Sequence, residues 1–129
     1  MDSGYSVRVA ALALDVPVKW IDNVLSHHEL VGVSRTTHGV PRRLDDNALL
    51  ALALCRTLAA ETGMPIARAA SLARDIVESG GRVAIGPGVA LDVALDDVRR
   101  GLRARAIDAA EAVFHVRRGR PRRLRPVVE

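Results

Sequence analysis

The sequence is poor in the residues that build several common kinds of site. Cys55 is its one cysteine, so there is no disulfide framework and no cysteine pair for a zinc or redox site. The aromatic residues are Tyr5, Trp20 and Phe114, too few for a platform that stacks single-stranded nucleic acid. No apolar run approaches the roughly 20 residues of a membrane helix, and the N-terminus lacks the order of a signal peptide. We therefore expect a cytoplasmic protein without a membrane partner.

Residue patterns that indicate catalysis are also missing. The one acidic cluster, Asp92, Asp96 and Asp97, lies at a predicted strand-to-helix junction, where carboxylates stabilise a helix N-terminus. Gly86-Pro87-Gly88 lacks the lysine and hydroxyl residue of a phosphate-binding loop, and no serine lies in a nucleophile elbow. The adjacent His27-His28 pair has no metal-ligand spacing. We expect no enzymatic activity, no cofactor, no metal and no small-molecule effector.

Charge is abundant and unevenly placed. The chain has 19 basic residues, of which Lys19 is the one lysine, and a net charge of +4. The last thirteen residues alone contain six arginines and one glutamate, a net charge of +5. A concentrated basic end on a nearly neutral body predicts a polyanionic partner, because phosphates neutralised by arginine release their counterions.

The N-terminal region reads as two short helices and a tight turn. Residues 6–14 begin with a possible capping serine, and Asp15-Val16-Pro17 interrupts the pattern. From Pro17, which suits a first helical position, apolar residues recur at helical spacing up to Leu25. This second helix is expected to keep a polar outer face.

A small β-hairpin and two longer helices are predicted next. Residues 30–35 and 39–43 are short extended pieces around a polar tip. Asp45 can cap a third helix that runs to about Ala60, and a fourth helix spans about 65–78.

The C-terminal half reads as a second hairpin at 82–93 and a last helix at about 95–115. Two roles for this helix remain open at this point. It could pair two copies of the chain, or it could complete a small fold against the N-terminal core.

A helix, a tight turn and a second helix that packs on the first are the parts of a helix-turn-helix. Several short motifs follow each other over residues 5–79: Tyr5-Ser6-Val7, Ala11, Val16-Pro17-Val18, Ile21, Leu30-Val31, the stretch from Gly39 to Asp45 and the stretch from Gly63 to Ala69. In this order they resemble the MerR family of DNA-binding regulators.

The resemblance implies a winged helix-turn-helix whose second helix reads the major groove while the wing grips the backbone. The DNA-contacting residues it implies are Pro17, Lys19, Trp20 and Asn23 on the helix, and Arg35, Thr37, His38, Arg42 and Arg43 in the wing. Trp20 has a competing interpretation as partly buried packing. The sequence departs from the family at Asp22, where relatives carry a phosphate-gripping arginine, and we expect Asp22 to pair with Arg35 or Lys19.

The basic end resembles an AT-hook, a motif centred on Arg-Gly-Arg-Pro that lies in the minor groove of AT-rich DNA. Glycine lets the backbone lie flat in the groove, and arginines follow its negative floor. The residues concerned are Arg117, Arg118, Gly119, Arg120, Pro121 and Arg122. The alternative is a basic tail without defined structure, which would bind DNA weakly.

Together these observations predict a mainly helical protein with three parts. Residues 1–79 form a winged helix-turn-helix with a small hairpin wing, residues 80–116 a hairpin plus helix for dimerisation or partner binding, and residues 117–129 a basic arm. The expected function is sequence-specific transcriptional regulation, with repression as its sign, by a homodimer on double-stranded DNA in the nucleoid. The alternatives are an autoregulating antitoxin with a toxin partner, and a protein-interaction module on a winged-helix fold.

Overall fold

The computed structural model describes residues 4–28, 30, 32–34 and 42–118. Over these residues the chain is mainly helical, as the sequence predicts, with two small antiparallel sheets. The elements in chain order are β1 (Tyr5–Ser6), α1 (Val7–Leu14), α2 (Val18–His27), β2 (Val33–Ser34), β3 (Arg43–Leu44), α3 (Asp46–Thr62), α4 (Ile66–Ser79), β4 (Arg82–Gly86), β5 (Val89–Asp92) and α5 (Leu95–Arg118).

Helices α1 and α2 are joined by a turn of three residues. The Ser6 hydroxyl caps α1 by accepting a hydrogen bond from the Val9 amide at 3.1 Å, as the sequence predicts. Asp15 ends the helix in the left-handed conformation, at φ 57°, which aspartate tolerates better than most residues. Pro17 is extended, at ψ 148°, and precedes α2 instead of forming its first helical residue as predicted.

The first sheet has the strand order β1-β3-β2. The predicted hairpin is present as β2 paired with β3, with Val33 opposite Leu44. Strand β1 was not predicted; it pairs with the other edge of β3, with Tyr5 opposite Leu44. Since β1 directly precedes α1, this pairing fixes the start of the helical region to the base of the hairpin. The turn between β2 and β3 lies outside the described residues.

Helices α3 and α4 form the centre of the core. The Asp45 carboxylate caps α3 by accepting from the Ala48 amide at 2.9 Å, as predicted. Gly32 lies directly against this cap with φ +81°, and a Cβ atom there would collide with the Asp45 carboxylate. Gly63 and Gly80 end α3 and α4 in the left-handed conformation. The largest fully buried side chains are Ile21, Leu44, Leu49, Leu50, Leu52, Ile76 and Cys55.

The second sheet is the predicted hairpin of β4 and β5, and α5 follows it. Helix α5 packs across α1 and reaches α3, with Leu95, Leu102, Ala106 and Ala109 buried. Its apolar stripe therefore completes the core of its own chain, which was one of the two predicted roles. The helix continues to Arg118, three residues beyond the predicted end, so Arg117 and Arg118 belong to its last turn. No helix in the described ranges is both long and apolar enough to cross a bilayer.

Candidate nucleic-acid interface

Helix α2 has one buried face and one exposed polar face. Ile21 and Val24 are buried in the core, whereas Lys19, Asn23 and Ser26 are exposed at spacings of four and three residues. Trp20 is half-buried and packs against the core, which agrees with its interpretation as a packing residue. Pro17 is exposed at the start of the helix. The helix thus presents a row of exposed polar side chains, of which Ser26 is contacted by Arg42.

Arg42 links the base of the β2–β3 hairpin to this exposed face. Its guanidinium lies 3.5 Å from an oxygen of Asp22, and a second nitrogen lies 3.5 Å from the Ser26 hydroxyl. Asp22 was predicted to pair with Arg35 or Lys19; Arg35 lies outside the described residues, Lys19 forms no ion pair with Asp22 within them, and Arg42 is a partner that was not predicted. Arg42 is 19% exposed and Asp22 is 49% exposed, so the arginine side chain covers part of α2. Arg42 thus places a positive charge beside the Asp22 carboxylate.

Arg43 points to a different part of the molecule from Arg42. It is half-buried, and its guanidinium donates a hydrogen bond to the Gly4 carbonyl oxygen. It also lines a groove with Tyr5 and Phe114, to which no residue of α2 contributes. Successive residues of a strand point to opposite faces, which explains the divergence of the two arginines. The predicted arginine pair is therefore divided between α2 and β1.

An ionic cluster at the start of α3 holds β1, α3 and α5 together. The Tyr5 hydroxyl donates to one oxygen of Asp46 at 2.9 Å, and Arg103 of α5 donates to the other at 3.3 Å. Burial raises the pKa of Tyr5, and the hydrogen bond to the Asp46 carboxylate raises it further. Sequence reasoning did not find this cluster, because residues 41 and 57 positions apart meet in it.

Two more arginines of α5 form hydrogen bonds with α3 and α1. Arg99 donates to the Asn47 side chain at 3.0 Å, and Arg105 donates to the carbonyl oxygen of Ala13 at 3.1 Å. The second contact lies in the last turn of α1, where carbonyl groups lack helical partners and attract cations. Val113 lies beside the other half of α1, near Val9, so α1 and α5 run in opposite directions.

The end of α5 forms a groove with α1 and the start of α2, which we call the α1–α5 groove. Its lining is apolar apart from Arg8, and the apolar lining residues are Ala11, Leu12, Val16, Val18, Ala112 and Val113. The last described part of α5, from Ala112, thus lies beside the two N-terminal helices. About one hundred residues of sequence separate these parts of the surface.

The charge of the described body is balanced. Between residues 4 and 116, its described residues comprise twelve basic and twelve acidic side chains. The positive charge of the chain is therefore concentrated in its last thirteen residues. Lys19 forms no ion pair within the described ranges, so its charge remains available on α2.

Several of the predicted contact residues lie outside the described residues. They are Arg35, Thr37 and His38 of the hairpin tip and Gly119, Arg120, Pro121 and Arg122 of the basic segment. Arg117 and Arg118 are described only as helical backbone. The predicted contact residues that the structure describes with their side chains are Pro17, Lys19, Trp20, Asn23, Arg42 and Arg43. All of them except Arg43 lie on α2, directly before it or in contact with it.

Other groups that could support chemistry are occupied or isolated. In the acidic cluster, Asp92 lies 3.5 Å from Arg82 and Asp97 lies 3.0 Å from Arg100. No three histidine, cysteine, aspartate or glutamate side chains converge as metal ligands in the part of the chain that the structure describes. Burial raises the pKa of the Cys55 thiol to about 11, so this thiol is protonated at neutral pH.

Comparison with known proteins identifies no similar protein. No protein-family model, curated protein or solved structure matches the chain.

Proposed function

We propose that this protein is a transcriptional regulator that binds double-stranded DNA through α2, the β2–β3 hairpin and the basic C-terminal arm, and that it acts as a repressor. In this proposal the α1–turn–α2 unit is a helix-turn-helix and the hairpin is its wing. The protein would work as a homodimer on a palindromic operator, since a two-fold protein matches a two-fold site.

The observation that carries the proposal is the division of α2 into two faces. A recognition helix must pack on the preceding helix while its polar side chains reach base edges. Ile21 and Val24 are buried, and Lys19 and Asn23 are exposed. Lysine can donate to guanine and asparagine can pair with adenine in the major groove, so both residues suit this role.

The order of elements gives further support. Two short helices, a small hairpin and two longer helices follow each other as the resemblance to the MerR family implies. Arg42 binds Asp22 and Ser26 of α2, so the base of the hairpin and the exposed helix face form one continuous surface. This link would hold wing and recognition helix in a fixed relation to each other.

A titration with the DNA upstream of the chain's own coding sequence tests the proposal. The intact chain should bind this duplex tightly and resist competition by random DNA. A Lys19→Ala, Asn23→Ala double variant should lose most of the preference over random DNA, because base contacts specify sequence whereas phosphate contacts do not. We expect a loss of about 10-fold or more, at roughly 1–3 kcal/mol for each good base contact.

Arg56→Ala is the matched control, since Arg56 is exposed on α3 and forms no ion pair in the described structure. It removes one positive charge, as the double variant does, and should bind like the original chain. Absence of binding at low salt, or equal affinity for both duplexes, would refute sequence-specific regulation.

A second candidate function is suggested by the exposed apolar residues of the C-terminal half. Ile85 and Val89 on the second hairpin and Ile107 and Phe114 on α5 are 38–55% exposed. Ile85 and Val89 lie at the same end of one hairpin, and adjoining exposed apolar residues are typical of a protein-binding surface. This pair supports the antitoxin alternative, in which the region 80–116 would hold a toxin. A stoichiometric complex with the product of a neighbouring small gene, abolished by Val89→Asp, would support this candidate.

A further inference from the structure

Arg8 occupies an unusual position among the basic residues of the body. It is exposed on α1, and within the described ranges no carboxylate pairs with it. Most of the arginines of α5, by comparison, have hydrogen-bond partners. Arg8 is also the one charged residue among those that line the α1–α5 groove.

The groove lies between the two segments that the proposed function assigns to DNA. Val18, the first residue of α2, lines one part of it, and Ala112 and Val113 of α5 line another. Arg117 follows Val113 by four residues, which is about 6 Å along a helix axis. A duplex that contacts α2 and the basic arm together would therefore pass beside Arg8.

We infer that Arg8 binds a backbone phosphate of the duplex, between the segment read by α2 and the segment held by the arm. This inference rests on the proposed function and adds a contact that the sequence pattern did not indicate. In helix-turn-helix complexes the first helix crosses the DNA backbone, so a cation near its start faces phosphate and not base edges. A guanidinium binds phosphate through two parallel hydrogen bonds.

None of the residues that line the groove carries a carboxylate, although Asp108 and Glu111 lie within one helical turn of Ala112 on α5. Asp15 lies seven residues from Arg8, about 10 Å away along the helix, and Asp22 is engaged by Arg42. The apolar floor lowers the local dielectric constant, so the attraction between Arg8 and a phosphate is stronger than in open water.

The test compares Arg8→Ala and Arg8→Glu with Arg56→Ala and Arg56→Glu in the full chain. Position 8 lies in the first turn of α1, where glutamate stabilises a helix, so the fold should be retained and a thermal melt checks this. Affinities for the upstream duplex and a random duplex are measured at several salt concentrations.

We expect Arg8→Ala to weaken binding about 3- to 10-fold and to lower the slope of log affinity against log salt by about 0.9, the value for one phosphate contact. Arg8→Glu should weaken binding further, and both losses should be equal on the two duplexes. The Arg56 variants should show a clearly smaller change.

Three results would overturn the inference. Equal losses of affinity at positions 8 and 56 would show that Arg8 contributes only its positive charge and makes no specific phosphate contact. A loss confined to the upstream duplex would indicate a base contact in place of a phosphate contact. No binding by the intact chain would refute the proposed function itself, whereas unchanged binding by the Arg8 variants would refute this contact alone.

Discussion

Helices α2 and α5 are both amphipathic, and both carry polar side chains on the face away from the core. On α5 the arginines are largely used within the chain: Arg99 binds Asn47, Arg103 binds Asp46, and Arg105 binds the carbonyl of Ala13. On α2, Lys19 and Asn23 are exposed and Lys19 has no ion pair in the described residues. The number of basic residues on a helix therefore says little about its capacity to bind an anion, because intramolecular partners decide how much charge is available.

The same contrast applies to the chain as a whole, because the described body is neutral and the last thirteen residues carry +5. Affinity for any polyanion should depend mainly on the arm, whereas selectivity should depend on α2. Changes to the arm and to the folded body should therefore have separable effects.

Removal of the arm should have the largest effect. Truncation after Val116 deletes six arginines, and up to six phosphate contacts would be lost, each worth about 0.9 in the salt slope. We expect duplex affinity to fall by about 100-fold or more at low salt, while the preference for the upstream duplex persists. Fluorescence anisotropy at several salt concentrations measures both quantities. If the truncated chain kept the same salt slope, the phosphate contacts could not be assigned to the arm.

The Cys55 thiol is buried, so its titration changes the stability of the fold independently of the exposed faces of α2 and α5. Cys55 has a pKa of about 11 in the folded chain and 9.0 as its ordinary value, so it favours folding below pH 9 and this contribution disappears as the pH rises through 11. The loss should be on the order of 2–3 kcal/mol. Denaturation of the Cys55→Ala variant between pH 8 and 11 should lack this part of the slope. Equal slopes in both chains would show that the thiol is not the cause.

The cluster around Asp46 should matter more for stability than the exposed pairs of α5. Asp46→Ala leaves Tyr5 and Arg103 without their shared partner, and we expect a loss of about 1–2 kcal/mol in the free energy of unfolding. Urea denaturation measures the change. If α5 is held by apolar packing alone, the variant will unfold at the same urea concentration as the original chain.

Asp97→Ala should have the smallest effect. Its carboxylate pairs with Arg100 three residues away on the same helix, and both side chains are about three-quarters exposed. Such pairs contribute roughly 0.5 kcal/mol or less. Stability under the same urea conditions should hardly change. If Asp97→Ala lowered the free energy of unfolding as much as Asp46→Ala, an exposed pair within one helix would contribute as much as a cluster that joins three elements.

The candidate site was predictable where neighbouring residues determine it. The exposure of Lys19 and Asn23 follows from their spacing against Ile21 and Val24. The contact of Asp22 with Arg42 was not predictable, because the pairing of β2 with β3 brings Arg42 to α2. The divergence of Arg42 from Arg43 likewise depends on where β3 is placed in the sheet.

Local sequence patterns are sufficient to predict where the helices of this protein lie. The Ser6 and Asp45 caps, the glycines after α3 and α4 and the apolar spacing of each helix act over a few residues, so helix positions could be read from the chain. Tertiary packing alone explains why β1 joins the hairpin, why α5 packs on α1 and why the end of α5 lies beside Arg8. These contacts join residues that are tens of positions apart, and their formation depends on the burial of apolar surface by the whole chain, which no local pattern encodes.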